Sequence, residues 1–438
     1  MPPQSNSYSI IRSFNLLRYL FLVLGFYPFY SHALKKSYLR SLLLFYCLLI
    51  SFYDIFVTII IILAAGDIMI EATLVRNVDF ISIGFGEILI SITGLILRLL
   101  YNCQAHKLVD FFQKWSSLEC EYENLTGKQL KTMDLKKFSP IVLVSSTFVI
   151  LLMATYKMEV NDLSDVLIYY TVSIAYTMNY LTLLYTGIIW NMMTIALQNT
   201  SRQLLKDYSS EECANSFIED CDNSKYKDRQ GLNNSTSEEI HYTRSINSNS
   251  KKQHYLCLWI KLVNLQNLFS GAFSPMYGAH MTFNFLHVLF MGFGWTGALY
   301  RYVAPEKVST TVEATQILAL WVEIAQSFIY ILVGSTTTDA AQRAMDEESK
   351  KTLLKIIRRK KQNNLPNEQE VNFLKIVTRT KIKMRIPGYG RIDRESFCKI
   401  LITWINYMII LLQFRNLIQD DSKDPKEKQG FAWSIGNL

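Results

Sequence analysis

The sequence predicts an all-α membrane protein with seven spanning helices. Three observations carry that expectation. The 438-residue chain is 50% hydrophobic and only 19% charged, whereas soluble domains carry nearer a quarter charged residues. Its apolar residues come in blocks of about 20, the length that crosses roughly 30 Å of hydrocarbon. Its Lys and Arg residues gather in alternate connections between those blocks.

The blocks run Tyr38–Ala65, Ser82–Tyr101, Phe138–Tyr156, Val166–Ala196, Tyr277–Tyr300, Val312–Val333 and Phe397–Ile418. One short apolar run can be a core helix of a soluble domain, but seven runs of membrane length argue for crossings. Helices are the expected form, because lipid offers backbone groups no partner and a helix satisfies them internally. Ahead of the first block, Arg12 and Arg18 precede LFLVLGFYPFYSHA, which has the outline of a signal peptide ending at Ala33. Pro28 breaks that stretch, and Lys35, Lys36 and Arg40 follow it closely. A short amphipathic helix at the inner membrane surface is the better reading of residues 1–37.

Short loops rich in Lys and Arg stay in the cytoplasm. The N-terminal segment has five such residues and no acid before Asp54. The first connection, Gly66–Ile81, sets Asp67, Glu71 and Asp79 against Arg76. The second, Asn102–Lys137, carries Lys107, Lys114, Lys128, Lys131, Lys136 and Lys137. The third sets Glu159, Asp162 and Asp165 against Lys157, and the sixth, from Lys350 to Arg394, is the most basic stretch of the chain. The alternation places the N-terminus inside and, after seven crossings, the C-terminus outside. That is the reverse of a G-protein-coupled receptor. The Asp-Arg-Tyr and Asn-Pro-x-x-Tyr motifs of that class are missing as well.

The fourth connection is long. Residues 201–254 are rich in Ser, Asn and charge, and segments such as LNNSTSEE cannot bury enough apolar surface to fold alone, so a disordered cytoplasmic insert is expected. The sequons at Asn124, Asn199, Asn233 and Asn234 fall on the inner side and are expected to stay unglycosylated. After the insert, Leu256, Ile260 and Val263 recur at helical spacing beside Trp259 and Leu262, which reads as an amphipathic helix leading into span five. KTLLKIIRRK and EVNFLKIVTR repeat that pattern within 335–395. Helices apolar on one side need partners, so a packed intracellular base is expected; helices lying separately on anionic lipid are the alternative.

The seven cysteines fall in membrane or cytoplasm, where a disulfide framework is not expected, and none has zinc-ligand spacing. The chain has no Gly-rich phosphate loop, Gly-x-Ser-x-Gly or His-Glu-x-x-His. These observations argue against an enzyme and call for no cofactor or metal. The net charge of +8 belongs to the cytoplasmic connections and does not imply nucleic acid.

The last block holds two amides in an oily run, INYMIILLQFRN. Asn406, Tyr407, Ile410, Gln413, Phe414 and Leu417 share one helical stripe. Polar groups in a span face a neighbouring helix or a water-filled cavity. Periodicity alone leaves open an interhelical hydrogen bond, worth about 1 kcal/mol, or a pore.

Tyr407, five apolar residues, then Gln413-Phe414 resembles the Thr-Tyr-(five hydrophobic)-Gln-Phe motif in the last span of insect gustatory receptors. The preceding IPGYGRIDRESFCKILITW resembles that family's lead-in, with a Gly and Ile-Asp-Arg before the final helix. Asn406 stands where the family usually has Thr. The motif covers only about the last span and its lead-in; the seven spans and inverted topology extend the resemblance over most of the chain.

The resemblance implies a ligand-gated, non-selective cation channel in the plasma membrane of a sensory neuron, similar to insect odorant receptors. It implies a homotetramer, or a heteromer with other gustatory receptors, with four last spans (396–418) around a central pore and a 419–438 tail outside. Ile410 and Phe414 would close the pore by dewetting. Gln413 would turn inward on opening, with Asn406 and Tyr407 on the same face. A small-molecule tastant would bind in the outer half of the bundle built from 38–200 and 255–334. The outward span ends then offer Asp79 and Glu87, Tyr156, Tyr169, Tyr170 and Tyr176, Trp295 and Thr296, Gln316, Trp321 and Glu323. Aromatic walls with a few polar groups suit such a ligand; interfacial anchoring is the competing role for each aromatic. The residues do not choose between sugar and bitter ligands; the family's larger plant-bitter class tilts the expectation. An odorant-type receptor channel is the alternative. A transporter would call for an internal repeat, which the chain lacks.

Overall fold

The computed structural model describes residue 25 and residues 37–74, 78–130, 163–227, 235–303, 311–363, 368–380, 384–386 and 390–421. Eight helices are named here in chain order: α1 Ser37–Leu74, α2 Val78–Thr126, α3 Leu163–Lys227, α4 Ser235–Val303, α5 Thr311–Arg343, α6 Ser349–Asn363, α7 Glu368–Arg379 and α8 Arg394–Asp421. One π turn, Ala344–Glu348, joins α5 to α6. A two-residue hairpin, β1 Arg385–Ile386 and β2 Gly390–Arg391, precedes α8. Gly390 has a φ of 79°, a backbone conformation open to glycine at little cost. Six of the seven apolar blocks lie in α1, α2, α3, α4, α5 and α8. The block Phe138–Tyr156, the N-terminal surface helix and the tail beyond residue 421 lie outside the described residues.

Helix length explains the layout. At about 1.5 Å per residue, α2, α3 and α4 are roughly 2.5 to 3.5 times as long as a bilayer's hydrocarbon requires. Each must project well beyond the membrane. The two ends differ in what they expose. On α1, Leu42, Phe45, Leu49, Phe52, Phe56, Ile59 and Leu63 form a helical stripe that is more than half exposed. Such a stripe is costly in water and suited to lipid. Further along α2 the pattern reverses: Leu108, Phe111, Trp115, Leu118 and Tyr122 are buried. They form one core with Leu204 and Tyr208 of α3, Trp259, Leu262 and Phe269 of α4, Leu353 of α6, and Phe373 and Val377 of α7. This is the packed base expected from the amphipathic helices. The buried stripe on α4 is Tyr255, Leu258, Trp259, Leu262 and Val263, while Ile260 is exposed. Of the five residues expected on the apolar face, Trp259, Leu262 and Val263 are buried and Leu256 packs beside them; only Ile260 lies outside the packed face.

Helix directions follow from pairings. Gly94 lies against Asn179, and Tyr122 donates to Asp207. The sequence separation is the same, so α2 and α3 run parallel. Asn191 with Thr337, and Arg202 with Glu348, are both 146 apart, so α3 and α5 are parallel too. α4 runs antiparallel to all three, with Phe85 on Phe290 and Phe111 on Phe269. Arg202 clasps Glu348 with two 2.8 Å hydrogen bonds, which hold that carboxyl below its usual range. α3 continues to Lys227 and α4 begins at Ser235, so helix extends into both ends of the segment expected to be an insert.

Gly94 marks a close approach of α2 to α3. A Cβ there would sit 2.4 Å from Asn179 Cβ. Gly94→Ala gains at most about 1 kcal/mol of helix propensity. Overpacking costs about 1–3 kcal/mol. The expected net result is a lower unfolding temperature for the purified protein in detergent. An unchanged or higher value would mean that the two helices are not in contact there.

Candidate pore helix and ligand bundle

α8 meets its own subunit along one narrow ridge. Trp404 packs edge-on against Phe328 of α5, with ring centroids 5.0 Å apart. Met408 is buried with Leu289 and Phe293 of α4, and Leu411 and Leu412 pack beside it. Phe397 and Ile400 pack partly on the base core, and Tyr407 lies edge-on to Phe285 of α4 with ring centroids 6.4 Å apart; much of the remaining surface is uncovered. Ile402, Ile405, Tyr407, Ile409 and Ile410 are 43–59% exposed, and Asn406 and Gln413 are exposed too. Asn406 and Ile410 each lie two residues from Met408, which places them about 160° around the helix from it. The amide stripe therefore points away from the subunit. The side chain of Phe414 lies outside the described residues.

The lead-in to α8 now has a physical account. Ile392 is buried in the base core. Asp393 caps the helix, its Oδ1 accepting from the Ser396 backbone N–H at 2.8 Å. Burial would raise the Asp393 carboxyl, but the Ser396 hydrogen bonds outweigh it and hold the group below its usual range. Arg394 approaches Asp339 of α5 at 3.9 Å. In Ile-Asp-Arg, the first residue thus anchors the helix, the second caps it and the third supplies a charge partner.

The expected ligand residues divide in two. Tyr156 lies outside the described residues. Asp79 and Glu87 lie on α2, Tyr169, Tyr170 and Tyr176 on α3, Trp295 and Thr296 on α4, and Gln316, Trp321 and Glu323 on α5. The helix directions bring all of these positions to the end of the bundle away from the base. Their side chains lie outside the described residues.

Deeper in the bundle is a polar interior that sequence reasoning did not single out. Arg98 Nη1 lies 2.6 Å from Asp54 Oδ2, with both side chains almost fully buried. Arg98 also donates to Asn179 Oδ1 at 3.5 Å. The Trp190 indole donates to Thr338 at 2.8 Å and stacks on Tyr277 with centroids 4.3 Å apart. His280 and His287 are buried on α4, and Asn284 lies 3.0 Å from His280 Nε2. Among the described residues there is no group of His, Cys, Asp and Glu side chains that could hold a metal ion. The only sequence signal for this interior was a lone Asp54 and a lone Arg98, each inside an apolar run.

Four of the described helices are long and apolar enough to cross a membrane: within α1, α2, α3 and α8. Long helices of spanning length over a packed base, with one nearly bare apolar helix, define a multi-pass membrane protein. The 7tm chemosensory receptor family model matches residues 14–418, and the chain belongs to that family. Its fold is similar to that of the insect olfactory receptor OR5 from Machilis hrabei. The TM-score is 0.55, at 9% identity, over 92% of this chain and 98% of that one. The same receptor in complex with eugenol gives 0.54 over the same shares at the same identity. No curated protein sequence matches.

Proposed function

We propose that this protein is a gustatory-type receptor: a tastant-gated, non-selective cation channel of the sensory-neuron plasma membrane, in which α8 lines a pore shared by four copies. The observation that carries this reading is the bare face of α8. It presents Asn406 and Gln413 outward from the subunit, within a helix of spanning length. Lipid is a poor solvent for two amides on one stripe. An axis shared with other copies gives them water or one another. The fold likeness to an insect olfactory receptor supports a chemoreceptor reading.

The parallel course of α2 and α3 supports a seventh crossing. Two consecutive parallel helices need a connection that retraces their length, and the segment between them carries the apolar run Phe138–Tyr156. Seven crossings with the basic base inside leave the C-terminus outside. The ligand is a small molecule held at the end of the bundle away from the base. A plant bitter compound is favoured over a sugar by the family's ligand classes. One observation favours a second reading, an odorant-type receptor: the two similar solved structures named above are of an olfactory receptor, one holding eugenol.

The test is whole-cell current from the chain expressed alone, with G-protein signalling blocked, against sugars, plant bitter compounds and eugenol. An inward cation current is expected, and the active compound sets the ligand class. Gln413→Ala and Phe414→Ala are each expected to change ion selectivity or current per surface channel by about tenfold. Unchanged currents and selectivity in both variants would remove α8 from the pore.

A further inference from the structure

α8 is attached to its subunit at two levels. In mid-span, Trp404 and Met408 pack on α5 and α4. Below, the hairpin joins it to the same two helices by hydrogen bonds. Ser274 of α4 donates to the Arg385 carbonyl on β1 at 2.7 Å. Gln342 of α5, almost fully buried, uses both ends of its amide. Its Nε2 donates to the Ile392 carbonyl at 3.0 Å, and its Oε1 accepts from Arg391 Nε at 3.1 Å. One strand is thus tied to α4 and the other to α5.

The two levels constrain α8 differently. Apolar packing along one ridge is non-directional and tolerates rotation of the helix about its axis. Hydrogen bonds are directional. The residues that Gln342 holds, Arg391 and Ile392, immediately precede the Asp393 cap. No free residue separates the tie from the helix, so the tie fixes the azimuth of α8.

We propose that Gln342 is a positioning residue for the pore: with Ser274 across the hairpin, it sets which residues of α8 face the shared axis. This rests on the reading of α8 as the pore helix. It also makes α5 a coupling element. That helix carries Gln316, Trp321 and Glu323 at its far end and Gln342 at its near end. A ligand-driven shift of α5 turns α8 through the same joint.

Oxidative cross-linking of the full chain in intact cell membranes tests this without a ligand. Ile410→Cys and Leu411→Cys are compared under copper phenanthroline, each normalised to surface protein and to the unsubstituted chain. Disulfides need Cα atoms within roughly 7 Å, so the axis-facing position is expected to cross-link about tenfold faster than its neighbour on the packed ridge. Adding Gln342→Leu is expected to shrink that contrast to about threefold or less. Ser274→Ala, a smaller change on the other strand, is expected to shrink it in the same direction. A purely structural role would lower the amount of surface protein and leave the contrast intact. A full contrast in both variants overturns the inference while leaving the pore reading standing. If Gln342→Leu does not reach the surface, the Ser274→Ala result decides. No cross-linking at either position in the parent overturns the axial placement of α8, and this inference with it.

Discussion

Arg98→Met is expected to destabilise the protein by about 3–5 kcal/mol, the usual cost of removing one partner from a buried ion pair. Arg98 and Asp54 lie 2.6 Å apart, within the apolar stretches of α2 and α1. Asn179 of α3 supplies a third contact, so three helices meet on two charges. Removing the guanidinium leaves a carboxylate with neither water nor a countercharge. An Asn179 amide donating to the Asp54 carboxylate is too weak to replace it, because a hydrogen bond to a charged group contributes only about 1.5–3 kcal/mol. The double variant Asp54→Leu/Arg98→Met is expected to recover the parental stability or exceed it, since apolar replacement of a buried pair is often neutral or better. Thermal unfolding of the purified protein in detergent reads both. A single variant as stable as the parent would mean that the pair is hydrated. A double variant no better than the single would mean that the charges are not coupled.

The same cluster shows where sequence reading stops. Apolar blocks and their lengths located six of the described helices, because the 20-residue requirement of lipid is local and needs no knowledge of neighbours. The amphipathic repeats in KTLLKIIRRK and EVNFLKIVTR announced a packed base, and Leu353, Phe373 and Val377 are buried there. The face that packs was less legible. Trp259, Leu262 and Val263 are buried as the spacing suggests, yet Ile260 is exposed and the buried side also takes in Tyr255 and Leu258. The choice is made by the aromatic core of α2 and α7, which no window of α4 contains.

Pairings over long separations were less legible still. Nothing in ISITGLILRLLY says that Arg98 finds its partner in α1, or that Asn179 joins them. Gln342 reads in sequence as one polar residue near the end of a helix. Its importance comes from the hairpin folding back beneath it, so that one amide meets Arg391 and Ile392 together. The Ile-Asp-Arg lead-in was recognised as a pattern, and its physics became visible only with the Asp393 cap and the Asp339 contact in place.

Ile410→Asn is expected to give a standing cation current without ligand, about tenfold or more above the parent per surface channel. An apolar constriction closes a pore because water leaves a narrow oily ring, and ions cannot pass a dry gap. An amide at that ring binds water strongly enough to reverse this, since transferring a bare amide out of water costs several kcal/mol. In a tetramer the change occurs four times at one level. The position matters as much as the chemistry. Ile410 is 43% exposed on the face opposite Met408, whereas Leu411, one residue on, packs against α4. Leu411→Asn is therefore expected to lower surface abundance by setting a part-buried amide against the apolar ridge, with no gain in standing current. The contrast between two adjacent residues separates a gate from general damage to the helix. A silent Ile410→Asn at normal surface level, or an equal leak from Leu411→Asn, would mean that the constriction lies elsewhere and that the bare face of α8 meets a partner helix instead of water.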